Sequence, residues 1–161
     1  MIFPGRFARS AAFALAVATA GAALPATAAE FRVTADAPTT LYDAPSARAR
    51  PQFVFGRDVP LEVLVVVDGW TKVRDLGGTI GWIPSKSLAD KRVLQVRVPT
   101  ADVRASADDA APLVFRAEQN VLLELAEPAT SAGNTAQPGW VKVRHRYGAT
   151  GFARITQLYG L

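Results

Sequence analysis

A pattern of alternating apolar and polar residues occurs twice along the chain. Residues 69–74 and 78–83 form the first copy, and residues 139–144 and 148–153 form the second. Apolar and polar positions alternate within each run, and glycines separate the two runs of a copy. This arrangement predicts a strand, a turn and a second strand. The recurrence predicts one small β unit that is built twice.

The longest alternating run, residues 61–67, predicts the strongest strand of the first copy. Its core-facing side should carry Leu61, Val63, Val65 and Val67. The apolar residues of the other side, Leu64 and Val66, leave two interpretations open. They are either covered by the second copy or scattered on the surface.

Residues 36–52 contain three prolines and predict a long loop that is pinned to the core by Leu41. Residues 53–55 should then return to the core. Residues 93–98 alternate and predict another strand, which could close the first copy or open the second.

The two copies can be aligned by their apolar positions. An offset of 60 pairs residues 54–65 with residues 114–125. An offset of 70 pairs residues 69–88 with residues 139–158, and eight of these twenty positions are identical. The change of offset predicts a ten-residue insertion between Leu125 and Pro138 with the composition of an exposed loop.

The N-terminus predicts export. Arg6 and Arg9 precede an uncharged stretch from Ser10 to Ala29, and Pro25 is followed by small residues. A positive start, an apolar middle and a small-residue end are typical of a secretory signal peptide. The alternative is an uncleaved membrane anchor. Weak alanine hydrophobicity and Pro25 favour cleavage, with a mature chain that has no stable membrane span and is periplasmic or secreted.

Composition excludes several classes of function. Removing residues 1–29 takes Arg6 and Arg9 from 18 Lys+Arg and nothing from 14 Asp+Glu, which leaves a net charge of +2. The charges are interspersed, whereas nucleic-acid binding needs clustered basic residues. The chain has no cysteine, which removes disulfides, thiol catalysis and cysteine zinc sites.

The repeated motifs resemble those of tandem bacterial SH3-like domains. That family carries Gly-Trp-x-Lys-Val, a glycine turn, then Gly-Trp-Ile/Val and a short helical turn that ends in leucine. Residues 69–73, 81–83 and Leu88 fit this pattern, and so do residues 139–143, 151–153 and Leu158. The family often has an Asn-(Val/Leu)-Arg segment early in each domain, of which Val103-Arg104 retains part and Leu41-Tyr42 keeps only the apolar position.

The resemblance implies an all-β fold of two small SH3-like barrels after a cleaved signal peptide helix. The expected organisation is a signal peptide at 1–29, a first SH3-like domain at 30–92 and a second at 93–161. The family implies a non-catalytic module outside the cytoplasm that binds peptidoglycan or envelope proteins.

Aromatic and basic residues of the motifs are the candidate ligand-binding residues. The set is Tyr42, Trp70, Trp82, Trp140, Tyr147, Arg74 and Arg144. Aromatic rings offer a large contact area with a polar edge, which suits sugars and peptides, and the cations suit a carboxylate. The alternative interpretation is that the tryptophans fill small cores and the cations form a solvated strand face.

Catalysis has little support in the sequence. The one histidine, His145, lies between two arginines, and the pair Asp108 and Asp109 lies in a polar stretch typical of a solvated turn. We therefore expect no enzyme activity, no cofactor and no metal. The leading hypothesis is an exported module that recognises peptidoglycan or its peptides. The alternative is a periplasmic protein–protein adaptor, for which the apolar outer residues Leu64, Val66 and Leu122 argue.

Overall fold

The computed structural model describes residues 29–35, 38–126 and 138–161 of the chain. These residues form two antiparallel sheets of seven strands, with no α-helix among them. The strands of the first sheet are β1 (Glu30–Thr34), β2 (Thr39–Tyr42), β3 (Pro51–Phe55), β4 (Pro60–Val67), β5 (Trp70–Arg74), β6 (Ile80–Pro84) and β7 (Leu88–Ala89). Those of the second are β8 (Val93–Val96), β9 (Thr100–Arg104), β10 (Leu113–Glu118), β11 (Leu122–Leu125), β12 (Trp140–Arg144), β13 (Thr150–Arg154) and β14 (Leu158–Tyr159).

The second sheet repeats the strand order of the first. The orders are β3-β2-β6-β5-β4-β1-β7 and β10-β9-β13-β12-β11-β8-β14. The expected fold class, all-β with two β units, is confirmed. Strand β8 pairs with β11 and β14, so the strand that could have closed the first copy lies in the second sheet. The domain boundaries themselves stay a prediction, and residues 1–28 and 127–137 fall outside the described residues.

Each sheet encloses a core of its own. The first core includes Leu41, Leu61 and Ile83, and the second includes Leu94 and Leu123, all of them fully buried. Since each core draws its residues from the strands of a single sheet, each sheet must curl around it as a small barrel does. We call the two curled sheets the first unit and the second unit.

The predicted offset of 60 between the copies is wrong. Glu62 lies opposite Arg74 in the first unit, and Glu124 lies opposite Arg144 in the second. Equivalent residues are therefore 62 apart before the turn into β5 and β12, and 70 apart after it. Side chains in a strand alternate with a period of two, so a shift by two residues keeps every apolar side chain on its predicted face. The apolar pattern alone cannot distinguish 60 from 62.

Strand β4 departs from the predicted alternation because it contains a bulge. The pairing with β5 shifts between Val63 and Val65, and one extra residue reverses the faces of the residues that follow. Leu61 is buried as predicted, but Val65 and Val67 are exposed. Val66 is 63% exposed, so the second unit does not cover it.

The predicted long loop contains a strand. Residues 39–42 form β2, whose Leu41 is fully buried, as predicted for the residue that pins this segment. The three prolines within residues 36–52 favoured a loop, and this prediction overlooked the strand propensity of residues 39–42. Of residues 53–55, which were expected to enter the core, only Phe55 is buried.

Two glycines allow the sheets to curl tightly. A Cβ atom on Gly81 would lie 2.6 Å from Leu41 Cγ and 2.8 Å from the Tyr42 carbonyl oxygen. At Gly151, the equivalent position, it would lie 2.7 Å from the Arg104 carbonyl oxygen. Glycine is therefore required because β2 and β9 approach the backbone of β6 and β13 closely.

The two units contact each other through β14. The Tyr159 hydroxyl donates a hydrogen bond of 2.8 Å to the Arg74 carbonyl, and the Tyr159 ring meets Phe31 edge to face with centroids 5.0 Å apart. Burial raises the pKa of the Tyr159 phenol to about 12. The following residue, Gly160, has a positive φ and lies against Pro60 of the first unit.

Replacing Gly81 by alanine should destabilise the protein by about 1–3 kcal/mol, because the backbone carbonyl of Tyr42 cannot move aside as a flexible side chain could. Gly56 is the matched control, since a Cβ added there would meet no atom within 4 Å and its φ is not in the left-handed region. Gly56→Ala should change the free energy of unfolding by less than about 0.5 kcal/mol. Urea unfolding measures both, and equal losses in the two variants would contradict the close-approach account.

Alkaline pH should test the contact at Tyr159. Its pKa in the folded chain lies above the ordinary value of 10.0, so its contribution to stability is complete below pH 10 and is lost as the pH rises to about 12. Tyr159→Phe keeps the ring but cannot ionise. The free energy of unfolding of the unaltered chain should therefore fall relative to that of Tyr159→Phe across this window. Parallel pH profiles from urea unfolding would refute the burial of this phenol.

Candidate functional site

A row of aromatic and basic residues crosses the outer face of the first unit. Trp82 of β6 lies opposite Tyr42 of β2 on one side and opposite Lys72 of β5 on the other. Residues that lie directly opposite each other on neighbouring strands point to the same side of a sheet. All three side chains are partly exposed, and the Lys72 ammonium lies 5.7 Å from the centroid of the Trp82 ring.

Trp70 extends this row at the start of β5. Its ring meets Tyr42 edge to face with centroids 5.6 Å apart, and its backbone lies opposite Pro84. Ser85 donates its N–H to the Gly69 carbonyl at 2.8 Å, which fixes the turn that places Trp70. We call Tyr42, Trp70, Lys72, Trp82 and Pro84 the aromatic face.

The loop after Tyr42, residues 43–50, borders the aromatic face and is held by its own hydrogen bonds. Asp43 donates its N–H to the Arg50 carbonyl at 3.1 Å, and the Arg50 N–H returns a bond of 3.0 Å to the Asp43 carboxylate. Ala49 donates its N–H to the Ser46 carbonyl at 3.1 Å. The backbone of the loop is therefore held in one conformation by these hydrogen bonds.

The predicted cation Arg74 and its neighbour on the strand, Lys72, have different surroundings. Arg74 forms two hydrogen bonds of 2.8 Å to Glu62, which raise the pKa of the guanidinium and lower the pKa of the carboxyl group. Arg74 is therefore engaged within the protein. Lys72 makes no ion pair with any residue that the structure describes, so its charge is available to a ligand.

The tryptophan on the equivalent face of the second unit is covered. Trp140 occupies the place of Trp70, and Arg154 occupies the place of Pro84. The Arg154 guanidinium lies 4.6 Å from the centroid of the Trp140 ring and donates two hydrogen bonds to Asp109, of which the Nε–Oδ1 bond is 3.0 Å long. These bonds raise the pKa of Arg154 and lower that of Asp109. Trp140 is only 5% exposed.

The loops beside the two faces share one backbone conformation. The Ala105 N–H donates to the Pro112 carbonyl, as the Asp43 N–H donates to the Arg50 carbonyl. The Asp108 N–H donates to the Ser106 carbonyl at 2.8 Å, as the Ser46 N–H donates to the Ala44 carbonyl. Position for position, Ala47 stands where the second unit has Asp109. The two loops therefore share their backbone hydrogen bonds and differ in their side chains.

Tyr147 and Arg144 do not join either face. Tyr147 is 77% exposed and lies in the turn after β12, whereas Trp140 begins that strand at its other end. Its ring contacts Arg146 and His145. Arg144 lies opposite Glu124 and forms no ion pair among the described residues. The structure therefore brings together Tyr42, Trp70 and Trp82 of the predicted set.

Sequence reasoning missed Pro84 and Arg154, although the offset of 70 paired them directly. It also took Asp109 for part of a solvated turn, whereas Asp109 is paired with Arg154. In the described part of the chain, no group of three or more histidines and carboxylates could hold a metal ion.

The curled sheets and their strand order define a fold of small β-barrel type. Residues 35–90 match the family model of the bacterial SH3 domain, so the predicted resemblance is confirmed for the first unit. A bacterial SH3 domain is a binding domain. The family match does not extend to the second unit, for which the repeated strand order is the structural observation. No curated protein matches the chain.

Three solved structures are similar to the chain. NlpC1 from Trichomonas vaginalis has 18% identity and a TM-score of 0.37, over 85% of this chain and 48% of that chain. NlpC2 from Trichomonas vaginalis has 16% identity and a TM-score of 0.34, over 82% and 48%. An NlpC/P60 family protein from Bacillus cereus ATCC 10987 has 14% identity and a TM-score of 0.37, over 81% and 56%. The chain spans about half the length of each of them.

Removing the guanidinium of Arg154 should uncover Trp140. In a chain with phenylalanine at the other two tryptophan positions, Arg154→Ala should raise the acrylamide quenching constant of Trp140 fluorescence by about twofold or more, because the ring loses its cover. Arg144→Ala, at the far end of the strand that begins with Trp140, is the control and should leave quenching unchanged. Quenching that is equal in all three chains would show that Arg154 does not close this face.

Proposed function

We propose that this chain is an exported, non-catalytic binding protein whose first unit recognises cell-wall peptidoglycan or its peptides through the aromatic face. One observation carries the proposal. The first unit leaves Tyr42, Trp70 and Trp82 partly exposed beside Lys72, which makes no ion pair with any described residue, whereas the second unit covers its tryptophan with an arginine that is bound to Asp109.

The chemistry of the aromatic face suits this ligand. Sugars and prolyl or alanyl peptides present apolar surfaces that pack on the faces and edges of tryptophan and tyrosine rings. The peptides of the cell wall carry free carboxylates, and a lysine beside an aromatic ring provides a charge-assisted hydrogen bond for one of them. The ordered loop at 43–50 lowers the cost of binding, because little backbone has to be fixed when the ligand arrives.

Export is the second element of the proposal. The arginines at positions 6 and 9, the uncharged stretch that follows and the small residues before Glu30 support secretion into the periplasm or beyond. Among the described residues, no helix is long and apolar enough to cross a membrane. The binding class of the matched family supports a role without catalysis.

A protein–protein adaptor of the envelope is the second candidate function. The end of β4 exposes three consecutive valines, residues 65–67, on the first unit. Exposed apolar residues that adjoin each other favour a protein contact. In-cell crosslinking that recovers one dominant protein at this strand would favour the adaptor over the cell-wall module.

Sedimentation with purified sacculi tests the proposal. Tyr42→Ala should reduce retention by about fivefold or more, because it removes the ring that packs against Trp70. Lys72→Gln should cause a smaller loss that disappears at high salt, as expected for an exposed charge.

Tyr147→Ala is the matched control, since it removes an exposed tyrosine of the second unit that lies away from both faces. It should leave retention unchanged. Equal retention of the Tyr42→Ala and Tyr147→Ala chains, with both shown by circular dichroism to be folded, would rule out the aromatic face as the site.

A further inference from the structure

Each sheet ends in a strand with one free edge. Strands β3 and β10 stand last in their sheets, so one row of backbone N–H and C=O groups on each has no strand partner among the described residues. Natural proteins protect such edges, most often with charged side chains that prevent another strand from pairing. The two edges of this chain can therefore be compared with each other.

The edge strand of the second unit carries charged residues, although it also exposes Leu113 and Val114, whereas the edge strand of the first unit begins with Pro51 and carries no charge. Strand β10 carries Arg116, which bonds Asp102 of β9 at 3.1 Å, and ends in Glu118. Strand β3 has no charged residue, and its Phe53 and Val54 are 53% and 54% exposed. Val54 lies opposite Thr40 in the first unit, and Arg116 lies opposite Asp102 at the equivalent position of the second unit. The first unit therefore has a valine where the second unit has an arginine.

The free edge of β3 borders a cleft of about 660 Å³ between the units. Four consecutive residues, 53–56, line it. Successive side chains of a strand point to opposite faces, so a consecutive run along the wall means that the edge itself borders the cleft. The volume lies within the range of ligand-binding clefts.

The opposite wall of the cleft is polar and belongs to the second unit. It includes the amide side chains of Gln95, Gln119 and Asn120 and the guanidinium of Arg97. Arg97 forms no ion pair with any described residue. Gln95 and Gln119 each donate a hydrogen bond within this wall, to Asn120 Oδ1 and to the Arg97 carbonyl. The Asn120 amide and the Arg97 guanidinium can donate to carbonyl and carboxylate oxygens of a bound segment.

We propose that this cleft binds an extended polypeptide segment of a partner protein, which pairs with β3 as an additional strand. The bound segment places apolar side chains against Phe53 and Val54 and an acidic side chain near Arg97, while Asp75 of the first unit, which also lines the cleft, favours a basic side chain beside it. A strand offers the alternating donors and acceptors that the β3 edge requires.

Selection from a random heptapeptide library displayed on phage provides the probe. Peptides selected on the full chain are synthesised, and hydrogen–deuterium exchange by NMR locates them. The bound peptide should slow exchange of amides in residues 52–55 by about tenfold or more. Methylating alternate backbone nitrogens of the peptide should weaken binding by about tenfold, because strand pairing requires those donors.

Val54→Arg is the decisive variant, because the second unit folds with arginine at the equivalent position. It should weaken peptide binding by about tenfold and leave sacculus retention unchanged, which separates this site from the aromatic face. Val66→Arg, on an exposed position outside the cleft, is the matched control and should bind the peptide as the unaltered chain does.

Four results would overturn the proposal. They are a selection that yields no binder, protection confined to other strands, binding that survives both backbone methylation and Val54→Arg, and a dimer of the chain that Val54→Arg dissociates. The last result would mean that a second copy occupies the edge.

Discussion

The close approach of β2 to β6 at Gly81 is the constraint on which the rest of the first unit depends. Without a Cβ at that position, the Tyr42 carbonyl comes within 2.8 Å of where a Cβ would stand. This approach folds the sheet over Leu41 and aligns Tyr42 with Trp82 across the two strands. The same contact that closes the core therefore assembles the aromatic face. Gly151 has the same role in the second unit, where Arg104 and Phe152 are the aligned pair.

The two units show how one backbone supports two surfaces. Their strand order and the hydrogen bonds of their loops agree, yet Trp140 lies under Arg154 while Trp70 lies beside Pro84 and Tyr42. A tryptophan stacked by a guanidinium that is itself bound to a carboxylate has little surface left for a ligand. The second unit therefore contributes its contact through Tyr159 and one wall of the cleft, while the first unit presents the open face.

The sequence predicted the regular strands well and the irregular positions poorly. Alternation predicted strands within residues 69–74 and 139–144, and the structure has β5 and β12 there. It failed beyond Val63, because a bulge adds one residue and leaves no mark in the apolar pattern. It also placed the copies two residues out of register, since a period of two cannot detect such a shift.

The candidate site was predicted in part. Tyr42, Trp70 and Trp82 were named from the sequence, and the structure brings them together. Tyr147 and Trp140 were named in the same set of candidates. The sequence alone does not show that they lie near opposite ends of β12. The closure of the second face depends on Arg154 reaching Asp109 across 45 residues, and no local pattern encodes a contact of that range.

The most direct test of the binding role of the aromatic face is to introduce into the first unit the arginine and carboxylate pair that covers the tryptophan of the second unit. The double variant Ala47→Asp, Pro84→Arg supplies the carboxylate and the guanidinium at the positions that cover Trp140. The folded variant should shield Trp70 from acrylamide and lose sacculus retention by about fivefold or more, as expected when a binding ring is covered. A folded variant with a shielded Trp70 and undiminished retention would contradict the claim that the open aromatic face of the first unit is the binding site.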